Sequence, residues 1–79
     1  MDSIIPDAEL DCVGVYCPIP LFQTIEEIEK MDKGSILKVE ADDPSALKDI
    51  AGWVKRTGHR IIKFKKDGNL LTFFIKKGG

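Results

Sequence analysis

From Ala8 to Cys12 apolar and acidic positions alternate, which predicts a half-buried strand with Ala8, Leu10 and Cys12 on its inner face. Between Pro18 and Met31 the period changes. Leu21, Phe22, Ile25 and Ile28 recur at helical spacing, with Glu26, Glu27, Glu29 and Lys30 between them, and Lys33-Gly34 marks the helix end. Alternation returns from Ser35 to Ala41, with Leu37, Val39 and Ala41 on one face and Ile36, Lys38 and Glu40 on the other. Asp43-Pro44 reads as the N-cap and first residue of a second helix, striped by Leu47, Ile50, Ala51 and Val54 and ending near Thr57-Gly58. Trp53 is expected to flank the core. His59 to Lys65 and Leu70 to Lys76 read as two further strands around Lys66-Asp67-Gly68-Asn69, where Asp-Gly signals a tight hairpin.

The predicted order is β-α-β-α-β-β. With Asp67-Gly68 as a two-residue turn, Lys66 faces Asn69, Phe64 faces Leu71 and Ile62 faces Phe73. Those residues and Ile75 then share the face that meets the helices. Ile61, Lys63, Lys65, Leu70, Thr72 and Phe74 fall on the other face, open to solvent or a partner. The expected fold is α/β (α+β), a two-layer sandwich with a mixed four-stranded sheet and both helices on one face. Residues 1–79 are expected to form a single domain, with 1–7 as a flexible N-terminal segment.

Composition narrows the functional classes. Of the 79 residues 43% are hydrophobic and 32% charged, an ordinary globular balance. No apolar run approaches the roughly 20 residues of a membrane helix. The start, Met1 to Pro6, lacks the basic and apolar regions of a secretory signal, so a cytoplasmic protein with reduced thiols is expected. Twelve basic against thirteen acidic residues give a net charge of -1, which does not favour direct nucleic-acid binding. Cys12, Cys17 and His59 offer too few ligands for a zinc site, and neither metal nor cofactor is expected. For His59, which opens a strand, a structural or surface role is expected.

The segment Tyr16-Cys17-Pro18-Ile19-Pro20 carries the candidate chemistry. If Cys17 is the N-cap of the first helix, Pro18 is N1 and Pro20 is N3. Proline has no amide to donate, so Ile19 is left as the nearby donor to the Cys17 sulfur. The helix dipole adds about half a positive charge at this end, and cysteines in such positions fall from about 8.5 to between about 3.5 and 7.5. A single cysteine before a helix is also commonly a buried structural residue, and the residues alone leave both readings open.

The stretches LDCVGVYCPIP, ADDPSALKDIAGW and GHRIIKFKKDG resemble the TusA/SirA-type sulfur-carrier (sulfurtransferase) family, whose hallmark is a Cys-Pro-X-Pro motif after the first strand. The resemblance runs from about Glu9 to Lys77. It implies that Cys17 carries sulfane sulfur as a persulfide, with Pro18, Ile19 and Pro20 supporting the motif. It further implies a cysteine desulfurase or rhodanese-like donor and an acceptor protein of a sulfur relay. Family uses include tRNA thiolation, molybdenum-cofactor biosynthesis and sulfur metabolism. Family members often carry a basic residue before the motif cysteine and on the first helix; Tyr16, Glu26, Glu27 and Glu29 stand here instead, so a particular partner does not transfer.

Cys12 is in phase with Ala8 and Leu10 and is expected on the core face. As a possible second thiol it would make a Cys12/Cys17 redox switch the alternative function. A sheet-face nucleic-acid-binding module built on Lys38, Lys63, Lys65 and Phe74 is a further alternative, without an aromatic-rich RNA-binding signature to support it. Asp42 and Asp43 are expected to serve the second helix as turn and cap, and Tyr16 to cover an edge of the core.

Overall fold

The computed structural model describes residues 4–16 and 19–78. Its elements are β1 (Ala8–Cys12), α1 (Ile19–Glu29), β2 (Ile36–Ala41), α2 (Ala46–Thr57), β3 (Arg60–Asp67) and β4 (Leu70–Lys76). The sheet order is β1-β2-β4-β3, with β1 and β2 parallel and β4 antiparallel to both neighbours. The element order and the mixed four-stranded sheet are those expected from the sequence. Strands β1, β2 and β3 therefore run the same way. Their carboxyl ends, the amino ends of both helices and the β3–β4 turn share one end of the molecule.

The inner face follows from the alternation. Leu37, Val39 and Ala41 are fully buried and pair with Ala8, Leu10 and Cys12 on β1. Phe73 and Ile75 of β4 continue that face, and Ile28, Ala46, Ile50, Trp53 and Val54 close over it from the helices. Asp7 lengthens the β1–β2 ladder: its amide donates to the Ile36 carbonyl at 2.7 Å and its carboxylate accepts from the Ile36 amide at 2.8 Å.

The helix stripes differ from the expected ones. On α1 the fully buried side chains are Pro20, Thr24 and Ile28, whereas Phe22 is exposed. Thr24 enters the core because its hydroxyl donates to the Pro20 carbonyl at 2.7 Å, which satisfies it without water. On α2 Trp53 belongs to the core and Leu47 lies outside it. Helix α1 stops at Glu29, tightened by Lys30 and Met31 amides donating three residues back, to Glu27 and Ile28. Gly34 belongs to the following turn, where its positive φ is needed and its amide donates to the Lys77 carbonyl at 2.9 Å.

Two corrections concern the hairpin. Asp67 pairs with Leu70, so the two-residue turn is Gly68-Asn69, with Gly68 at a φ of 60°. A primed turn favours glycine at this position, and placing Gly68 first moves every pair by two residues, so that Phe64 faces Phe73. A shift of two keeps each side chain on its expected face. The second correction does not: a bulge between Ile61 and Lys63 brings Ile61, not Ile62, opposite Ile75 and against the core.

Candidate functional site

The loop between β1 and α1 is built from backbone amides with assigned acceptors. Val13 donates to the Asp11 carboxylate at 2.9 Å, Gly14 to the Asp42 carboxylate at 3.0 Å, and Val15 to the Cys12 carbonyl at 3.1 Å. The last bond closes a tight turn with Gly14 at its third position and a φ of 83°, which a residue without a Cβ adopts freely. At the start of α1 the Ile19 amide donates to the Tyr16 carbonyl at 3.0 Å. Cys17 and Pro18 lie outside the described residues.

This geometry corrects one expectation about the motif. The Ile19 amide is taken by the Tyr16 carbonyl rather than left for a sulfur. Pro20 is fully buried in the first turn of α1 and anchors the helix start to the core, while Ile19 beside it is exposed. Tyr16 does not cover a core edge either. Val13, Tyr16, Ile19 and Phe22 are between 48% and 74% exposed, so the residues around Cys17 in the sequence present apolar surface outward.

Cys12 is fully buried, and its thiol donates to Gln23 Oε1 of α1 at 3.2 Å. Burial pushes this thiol up from its ordinary value, and the neighbouring Asp11 carboxylate pushes it further. A buried thiol held protonated is a poor nucleophile.

The two consecutive aspartates divide their work. Asp43 Oδ1 accepts from the Ser45 amide at 3.0 Å and hydroxyl at 2.9 Å, turning the chain into α2. The helix itself starts at Ala46, later than Asp43-Pro44 suggested, but Ser45 already has helical dihedrals and makes no side-chain cap of its own. Asp43 therefore supplies the capping acceptor expected of it. Asp42 does not serve the helix; its Oδ1 reaches back to Gly14. The available signal was redundancy, since one aspartate suffices before Pro44.

A pocket of about 160 Å³ opens at the same end of the molecule, lined by Asp42, Pro44, Leu47, Phe64, Lys66 and Leu71 among others. His59 is remote from it. His59 is packed against Trp53, ring centroids 4.9 Å apart, and its Nδ1 accepts from the Gly78 amide at 2.9 Å. On the opposite sheet face Phe74 lies between Lys38 and Lys63 and is 9% exposed, so its ring is covered rather than offered for base stacking. Among the described residues no group of three or more His, Cys, Asp or Glu side chains could hold a metal ion, and no helix is long and apolar enough to cross a membrane.

Comparison with known proteins gives a consistent picture. The family model described as sulfurtransferase TusA matches residues 8–77. The sulfur carrier protein TusA of Allochromatium vinosum is 37% identical over 71 residues, covering 90% of this chain and 93% of that protein. The putative sulfur carrier protein YedF of Escherichia coli is 34% identical over 77 residues, covering 98% and 100%. A putative sulfur carrier protein of Aquifex aeolicus is 36% identical over 77 residues, and there the chain spans 39% of the relative's length. Among solved structures, a SirA-like protein from Desulfitobacterium hafniense superposes with a TM-score of 0.79 at 19% identity, covering 91% of this chain and 99% of that one.

Proposed function

The chain belongs to the TusA family of sulfur carriers, and on that premise we propose that Cys17 is the residue that holds the sulfur, as a persulfide. The observation that carries this reading is the family match across residues 8–77, which includes the Cys17-Pro18-Ile19-Pro20 motif. Burial of Cys12 behind Gln23 agrees with it, because it withdraws the other thiol from exchange with large partners.

The chemistry is two thiol exchanges without net oxidation. The Cys17 thiolate attacks the sulfane sulfur of a donor persulfide, the donor S–S bond breaks, and its thiolate leaves with the bonding pair. Cys17 then bears the terminal sulfur. A nucleophilic thiolate of an acceptor protein attacks that terminal sulfur and releases Cys17 as thiolate. The donor is a cysteine desulfurase or a rhodanese-like protein, the acceptor a sulfur-relay protein serving tRNA thiolation, molybdenum-cofactor or sulfur metabolism, and the compartment the cytoplasm. Such a carrier needs an accessible sulfur on a small rigid shape, not a deep substrate pocket.

Incubation with a cysteine desulfurase and cysteine, followed by intact mass with and without reductant, tests the reading. A reductant-sensitive gain of one sulfur atom that disappears in Cys17→Ser is expected. No gain, or a gain that survives the substitution, overturns it.

A further inference from the structure

Asp42 has a role that the corner between β2 and α2 does not require. Asp43 already turns that corner through Ser45, whereas Asp42 Oδ1 accepts from Gly14, which is 28 residues away in sequence and three before Cys17. The amides of Val13, Gly14 and Val15 have three different acceptors. Asp11 and Cys12 end β1, so the bonds to them fold the loop back on its own strand. Asp42 belongs to the far side of the β1–β2 pair, and its bond ties the loop to the body of the fold.

We propose that Asp42 is a positioning residue for sulfur transfer: through Gly14 it fixes the loop that carries Cys17 against the β2–α2 corner, and so fixes the direction from which a partner's thiol reaches the sulfur. The proposal rests on Cys17 being the carrier. Asp42 is also among the residues that line the pocket of Leu47 and Phe64 at this end. Gly14 is matched to it, since its left-handed φ is part of the turn that presents the amide to Asp42.

The test compares the full chain with Asp42→Asn and Asp42→Ala in two measurements. Amide exchange is followed at Gly14, with Leu10 and Val39 as controls in the sheet. Alkylation of Cys17 by iodoacetamide is followed against pH by peptide mass. Both variants remove the charge, but only Asp42→Asn keeps an acceptor oxygen. A change common to both is electrostatic, and a change confined to Asp42→Ala reports the hydrogen bond.

Gly14 exchange is expected to be slow in the wild type and in Asp42→Asn, and about tenfold faster in Asp42→Ala, with Leu10 and Val39 unchanged. The pH profile of Cys17 alkylation is expected to differ between Asp42→Ala and Asp42→Asn, with the asparagine variant nearer the wild type. Identical alkylation profiles in the two variants overturn the proposal. Fast Gly14 exchange in the wild type also overturns it, and needs no variant to fold. Failure of the wild type to load sulfur from a desulfurase would overturn the carrier reading instead, and leaves the exchange and alkylation comparisons standing.

Discussion

The Cys12 thiol donates to Gln23 Oε1 at 3.2 Å, joining the last residue of β1 to the second turn of α1. Cys12 has no exposed surface, so a reagent reaches it only when this contact opens. Alkylation of Cys12 in the native chain is therefore expected to be slower than in the urea-unfolded chain by about a thousandfold, the scale of a small domain's opening equilibrium. Time-resolved alkylation with peptide mass measures this directly. Labelling of Cys12 at the unfolded-chain rate would contradict the packing described.

The same thiol has a consequence at alkaline pH. Burial and Asp11 raise its folded pKa above the unfolded value of about 8.5. The protonated form is then favoured by folding, so the stabilisation is fully present below about pH 8.5 and is lost as pH rises through the folded value. Above about pH 8.5 the urea midpoint should fall more steeply in the wild type than in Cys12→Ala. The variant itself should cost about 1 kcal/mol at pH 7, for the small volume removed from the core. Parallel alkaline profiles would mean that Cys12 does not titrate differently in the folded state.

How far these sites were legible in the sequence depended on whether the signal was periodic. Leu37, Val39, Ala41 and Cys12 follow strict alternation, and all are fully buried where alternation put them. Periodicity could not separate Phe22 from Thr24, because a threonine becomes a core residue only through the Pro20 carbonyl that satisfies it. The Asp67-Gly68 signal located the hairpin but not its register, since Gly68 can supply a positive φ at either central position of the turn. The bulge at Ile61–Lys63 left no mark in the residue types on either side. At the proposed site the Cys-Pro-Ile-Pro motif singles out Cys17 and its prolines. The bond from Asp42 to Gly14 links residues far apart in the chain, and only the folded β1–β2 pair brings them together.

His59 gives the opposite pH dependence. Its folded pKa is lowered, first by burial and then by the nearby Lys77 cation. Acceptance from the Gly78 amide at 2.9 Å also requires Nδ1 to be unprotonated. The neutral form is favoured by folding, so this stabilisation is present above the unfolded value of about 6.5 and is lost as pH falls through the folded one. An NMR titration should place the His59 midpoint below that of a model peptide, with the Gly78 amide shift moving in the same step. Gly78→Ala should raise the midpoint, because a Cβ at Gly78 collides with the Gly58 carbonyl and displaces the donor. A midpoint at or above the peptide value would show that the Gly78 contact does not persist in solution.

Phe22 and Phe73 offer a direct measure of what sequence type alone does not convey. Phe73 is fully buried, pairs with Phe64 across the hairpin with ring centroids 5.2 Å apart, and touches the core beneath both helices. Phe22 is 58% exposed on α1. Phe73→Leu loses ring volume and the aromatic contact, and should cost about 1–2 kcal/mol. Phe22→Leu should stay within about 0.5 kcal/mol of the wild type. In a domain of this size each kcal/mol lowers the thermal midpoint by about 4–8 °C, so differential scanning calorimetry separates the two variants readily. Equal losses would place Phe22 in the core and return the α1 stripe to Leu21, Phe22, Ile25 and Ile28.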